Sequence, residues 1–204
     1  MRKFVLSGLI TSVLFSSFQA RAFQDHAFSL GLGYYSQNFN KKTAQETSGE
    51  TGFLGSPFYP INFKYDMGFD GDWFFSPQLT YTLIPRKSAD DSAKVSFWHL
   101  ALPVGMNITR SSDLIWDGSV GLGLLQTTIT GSGGTTVLNN GTSTATFALP
   151  GDTTTTRKIT TNFGTSLTWS PHRVGFDLIF ENFFSQKERT ESFMLSYAYQ
   201  FGGR

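Results

Sequence analysis

The chain has 204 residues, enough for one domain of ordinary size and too few for two. Its 16 basic and 15 acidic residues nearly cancel, and it has no cysteine. A disulfide framework and a cysteine-linked lipid anchor are therefore excluded, and the lack of a basic cluster argues against a nucleic-acid partner.

Met1-Arg2-Lys3, a nearly unbroken apolar run from Phe4 to Phe18 and then Ala20-Arg21-Ala22 form the pattern of a secretory signal peptide. The run is about 15 residues, short of the roughly 20 that a spanning helix needs. Residues 1–22 are thus expected to be cleaved, leaving 23–204 as a single domain that begins at Phe23. Losing Arg2, Lys3 and Arg21 leaves 13 basic residues against 15 acidic ones, a net charge of −2. The later sequence holds no further run of 18 or so apolar residues, so no transmembrane helix is expected.

After the leader the hydrophobic period is two, in segments of about ten residues, the length with which a tilted strand crosses a bilayer. The first segment, His26 to Asn38, sets Phe28, Leu30, Leu32 and Tyr34 against Ser29, Gly31, Gly33 and Tyr35. The second, Phe58 to Phe69, sets Ile61, Phe63, Tyr65 and Met67 against Asn62, Lys64, Asp66 and Gly68, and Asp70-Gly71-Asp72 turns the chain. The third runs from Trp73 to Leu83 and the fourth from Val95 to Thr109, where Trp98, Leu100, Leu102 and Val104 alternate with His99, Ala101, Pro103 and Gly105. Pro77 and Pro103 fall inside these two, so each is expected to mark a bulge or a shifted boundary.

A turn at Arg110-Ser111-Ser112-Asp113 leads to the fifth segment, Leu114 to Gln126, with Trp116, Val120, Leu122 and Leu124 opposite Asp117, Ser119, Gly121 and Gly123. Thr127 to Arg157 is rich in Thr, Gly and Ser and contains the hairpin signal Asn139-Asn140-Gly141. It reads equally as two strands prolonged beyond the membrane or as a polar loop. The sixth segment is Lys158 to Trp169, and Pro171-His172-Arg173 reverses the chain. The seventh, Val174 to Phe184, puts Phe176, Leu178 and Phe180 against Gly175, Asp177, Ile179 and Glu181. The eighth, Ser192 to Phe201, puts Phe193, Leu195, Tyr197, Tyr199 and Phe201 against Met194, Ser196, Ala198 and Gln200.

Connections alternate between short turns and long loops, the habit of an outer-membrane barrel whose short turns face the periplasm. The fold expected is all-β: an eight-stranded antiparallel up-and-down transmembrane β-barrel with short periplasmic turns and long extracellular loops. A lipocalin-like barrel alternates too, with its apolar face inward. Two features favour the membrane form. The face opposite the bulky residues is rich in Gly, Ser, Ala, Asn and Thr, which suits a narrow lumen. Two aromatic belts are also expected, with Trp73, Trp116, Trp169 and Phe201 at the short-turn rim and Tyr34, Tyr81, Trp98 and Phe193 towards the long-loop rim.

By these segments, which span nearly the whole mature chain, the sequence resembles the small outer-membrane barrels of the OmpA, OmpX and OmpW kind. The last segment, Phe193 to Phe201, is similar to the C-terminal signal read by the barrel-assembly machinery, although here it continues through Gly202-Gly203-Arg204. The resemblance implies an outer-membrane location in a Gram-negative cell envelope and contact with outer-membrane lipid and lipopolysaccharide. It also implies a monomer; peptidoglycan anchoring of the larger OmpA type is not expected, since no extra periplasmic domain follows the eighth segment.

The lumen face would hold Lys64, Asp66, His99, Asp117, Asp177 and Glu181, and buried charges require partners. Lys64 is expected to pair with Asp177 or Glu181 and plug the lumen, in resemblance to the interior ion pairs of OmpA-like barrels. A narrow, porin-like path for small solutes is the alternative. A lipid-modifying enzyme is the second: His26 and His172 would lie at the periplasmic rim, leaving His99 with Ser96 as the candidate pair, yet alternation puts these two on opposite faces. No catalytic residue, metal ligand set or cofactor is therefore expected, and the role expected is structural or surface-interacting, its extracellular ligand unspecified.

Overall fold

The computed structural model describes residues 26–36, 57–69, 72–87, 93–111, 113–131, 135–139, 144–148, 151–185 and 189–202. The leader assigned to 1–22 lies outside them. The strands are β1 (His26–Ser36), β2 (Pro60–Gly68), β3 (Trp73–Phe75), β4 (Gln78–Thr82), β5 (Arg86–Lys87), β6 (Ala93–Arg110), β7 (Ile115–Gly131), β8 (Thr135–Asn139), β9 (Thr144–Ala148), β10 (Thr153–Trp169), β11 (His172–Glu181) and β12 (Thr190–Gly202).

β1 pairs with both β12 and β2, which closes a ring. Around it, β12 is followed by β11, β10, β7, β6, the β3/β4 position and β2, each antiparallel to its neighbour, so that eight strands form a barrel. Closure leaves no sheet edge in the ring, the condition under which a sheet can stand in hydrocarbon.

β3 and β4 occupy one place in the ring, since both pair with β2 and with β6. The register is unchanged across Ser76-Pro77: Met67 faces Phe75 and Lys64 faces Gln78 on one side, Val104 faces Phe75 and Ala101 faces Gln78 on the other. Pro77 therefore interrupts the hydrogen bonding without inserting a bulge. Its carbonyl accepts from Tyr65 N at 3.0 Å, and Ser76 N donates to the Pro103 carbonyl at 2.9 Å. Pro103 lies in an unbroken register, and the one slip between β6 and β7 falls at Asn107/Thr109.

The strand partner of Pro103 is Gly121, where an added Cβ would come within 2.7 Å of the proline nitrogen. Gly121→Ala is expected to destabilise the barrel by about 1–3 kcal/mol through overpacking, read from the urea midpoint of refolding into vesicles.

Alternation assigns the faces as the membrane form requires. Leu32, Val120 and Leu122 point outward and are more than half exposed, while Asp66, Ser76, Thr80 and Asn62 point inward and are buried. β6, β7 and β10 are 17 or 18 residues long, against 9 for β2 and 10 for β11. Pairing of β11 with β10 stops at Thr160, whereas β7 stays paired with β10 as far as Thr153. β6, β7 and β10 thus rise beyond the ring as a wall, with the two-residue β5 paired to β6 at Val95 and Lys94, and a separate hairpin, β8 with β9, follows β7 in the chain. Of the two readings of 127–157, the prolonged strands are the one adopted, and the hairpin brackets the Asn140-Gly141 signal.

Candidate functional site

The short-turn half of the lumen is organised by Arg173, a residue that sequence reasoning placed in a turn. β11 begins at His172, so Arg173 shares the inward face of Gly175 and Asp177. Its guanidinium reaches across the barrel to Asp66 on β2 and, at 3.0 Å, to Asp117 on β7, while Nε donates to Ser166 Oγ at 2.9 Å. Ser166 donates in turn to Asp117 at 2.7 Å, and Ser76 to Asp66 at 2.5 Å. Arg173, Asp66 and Asp117 are all buried. A forked donor fits two carboxylates at once, which a lysine cannot do with the same geometry.

The pairing expected for Lys64 is not the one formed. Glu181 is taken by Lys158 at 2.5 Å, a residue at the outer end of the lumen face of β10. Lys64 ends 6.0 Å from the centre of the Phe74 ring and shares a polar cavity of about 20 Å³ with Asp177, Gln78 and Arg173. Asp177 is hydrogen-bonded by Gln78. A second cavity of about 10 Å³ lies beyond these two, bordered by His99, Asn162 and Ser119. His99 Nε2 meets Thr160 Oγ1 at 2.9 Å, and Gly123 beneath leaves the space that the two need, since a Cβ there would come within 2.7 Å of the imidazole. Such volumes hold about one water each and no larger guest.

The long-loop half is sealed by apolar side chains. Tyr35, Phe58, Phe97, Leu125, Ile179 and Met194 form one buried cluster. The Tyr35 and Phe97 rings lie 4.5 Å apart, and Phe58 meets Phe97 edge-on at 5.1 Å. Phe58 is held there by two 2.9 Å backbone hydrogen bonds with Tyr35. The plug is thus an ion network below and an aromatic cluster above, where only ions were expected. The signal was present: Tyr35, Leu125, Ile179 and Met194 are large apolar residues on the polar face of four segments.

Outward rows across β6, β7 and β10 mark where the apolar exterior ends. Leu100, Leu124 and Ile159 form the last apolar row; above it come Trp98, Gln126 and Arg157, then Ser96, Thr128 and Thr155, then Lys94, Thr130 and Thr153. No protein-family model matches the chain, and comparison with curated protein sequences finds no match. Solved structures do match. The attachment invasion locus protein Ail of Yersinia pestis superposes with a TM-score of 0.50 at 14% identity, over 89% of this chain and 99% of Ail. Neisserial surface protein A superposes with a TM-score of 0.56 at 8% identity, over 86% of this chain and 95% of its own. The chain has the fold of a small outer-membrane β-barrel.

On this barrel Trp73, Trp116, Trp169 and Phe201 stand half exposed near the short turns, and Trp116 Nε1 donates to Thr165 Oγ1 at 2.9 Å. His26 meets Tyr65 at 3.0 Å and His172 meets Tyr197 at 2.7 Å on the same rim. Towards the other rim Tyr81 is exposed and Tyr34 and Trp98 are partly covered. Phe193 shares the outward face, its ring 6.0 Å from Tyr34 and 6.2 Å from Phe176, but is covered by its neighbours and only 5% exposed. Arg157 Nε donates to Gln126 at 2.7 Å, in the row where the exterior turns polar.

Proposed function

We propose that the protein is a sealed, monomeric outer-membrane barrel that acts through the wall it raises above the membrane, as a surface-interaction protein and not as a channel or an enzyme. The observation that carries this reading is the step at the end of β11. Thr153 to Ile159 on β10 are fully extended, exposed and, among the described residues, paired on one side alone. An open, threonine-rich strand edge on a rigid support is a template for contact with another molecule. Arg157 on β10 and Lys94, two strands away on β6, lie on the outward face of the wall, so an anionic polymer is the first probe to try. Ail has been crystallised with the heparin analogue sucrose octasulfate, which makes a sulfated polysaccharide a reasonable choice.

The lumen supports the non-conducting, non-catalytic part. Two successive plugs leave cavities of about 20 and 10 Å³, and His99 faces the smaller of these with Ser96 on the opposite face of β6. Lipopolysaccharide and phospholipid surround the barrel in this reading, and β12 carries the assembly signal.

The test compares cells displaying the protein with cells displaying a shortened form that lacks residues 128–155 and also carries Lys94→Gln and Arg157→Gln. Both should show a heat-dependent shift in SDS gels, because the ring below the wall is intact. Binding of fluorescent heparin should fall about tenfold in the shortened form, a loss equivalent to roughly 1.4 kcal/mol. Equal binding by the two would place the contact elsewhere and defeat the proposal.

A further inference from the structure

The step that exposes the β10 edge also creates a corner on the lipid-facing side. Below it, Phe163 on β10, Phe180 on β11 and Phe183 just beyond β11 form one aromatic cluster: Phe163 and Phe180 lie 5.7 Å apart, and Phe183 is 5.7 Å from Phe163 and 5.5 Å from Phe180. The turn that returns Phe183 onto the wall runs through Asn182, whose φ of 52° reverses the chain directly after Glu181. Above the cluster Ile159 points outward and is 72% exposed, since β11 no longer covers that side. Arg157 stands two residues further up the same face, about 7 Å along the strand.

The charges at the corner are unevenly matched. Lys158 is paired with Glu181 at 2.5 Å, and Arg189, which lies 5.9 Å from the Phe180 ring, is paired with Glu191 at 3.0 Å. Arg157 donates to a neutral amide, Gln126, so its charge is met by no carboxylate among the described residues. One cation at the polar boundary directly above an exposed apolar surface suits an amphiphile whose anionic group is joined to hydrocarbon chains.

We infer that this corner holds one phosphorylated glycolipid of the outer leaflet, with phosphate against Arg157 and an acyl chain laid over Ile159, Phe163 and Phe183. The inference rests on the outer-membrane reading, since no such lipid meets the protein elsewhere. It deepens that reading by giving the barrel an oriented lipid partner at the foot of its wall. The surface is continuous with the lipid-facing band, and the charge complementarity selects an anionic headgroup over a neutral one.

Native mass spectrometry of the protein reconstituted in nanodiscs tests it, with phosphatidylethanolamine alone or mixed with a diphosphorylated lipid A. The wild type should retain one lipid A molecule in preference to phosphatidylethanolamine. Arg157→Gln and Phe183→Ala should each lower that retained fraction about tenfold, while Arg110→Gln, at the opposite rim, should leave it unchanged. Equal retention of the two lipids, or an equal loss with Arg110→Gln, overturns the inference. The heat-dependent gel shift of the same samples separates the two layers of argument. A shifting barrel that retains no lipid A defeats this inference alone, whereas absence of the shift defeats the outer-membrane reading and the inference together.

Discussion

Arg173→Met should destabilise the barrel by about 3–5 kcal/mol, because it leaves Asp66 and Asp117 buried with their shared counter-charge removed. The cost comes from the abandoned carboxylates more than from the lost attraction, since two anions in a nearly water-free lumen repel each other and have little solvent to turn to. A specific rescue follows. Adding Asp66→Asn and Asp117→Asn to Arg173→Met should recover most of the loss, because the amides keep hydrogen-bonding capacity for Ser76 and Ser166 without charge. Urea titration of refolding into vesicles reads both effects. A triple variant no more stable than Arg173→Met would show that the arginine acts by packing and not by neutralisation.

Phe97→Ala should cost a similar amount, about 3–5 kcal/mol, by opening a cavity between Tyr35 and Phe58 at the outer end of the lumen. Its effect on permeability should nevertheless be small. The polar half of the lumen is closed independently by Arg173, so removal of one plug leaves the other. Planar-bilayer recordings are expected to show no steady conductance for the wild type or for either single variant. The combined Phe97→Ala and Arg173→Met variant should conduct, provided that it folds in detergent with a heat-dependent gel shift. Steady conductance of the wild type would contradict the sealed lumen.

Much of the fold was legible because each segment alternates cleanly. Phe28 to Tyr34 and Leu100 to Met106 announce their lipid face without any knowledge of neighbours, and the short turns after the second, fourth and sixth segments set the rim. Boundaries were less legible. β7 and β10 continue to Gly131 and Thr153, because runs of threonine favour extended backbone as strongly as they decorate loops. Pro171 drew the turn too far along the chain and carried Arg173 with it. Proline inside a strand was read as marking a bulge or a shifted boundary; Pro77 does divide the third segment into β3 and β4, yet both prolines keep their register, because the hydrogen bonds at this place use the Pro77 and Pro103 carbonyls and the Ser76 and Tyr65 amides.

The sequence by itself determined the barrel: a period of two in eight crossings, an apolar exterior, small and polar residues within, and the rim on which the short turns lie. Tertiary structure decided which interior groups meet. Arg173 and Asp66 are 107 positions apart, and Lys158 rather than Lys64 reaches Glu181. Periodicity is a local property that tells which face a side chain takes. Its height in the lumen and its partner across the lumen depend on the register of all eight strands around a closed ring, a property that no single segment carries.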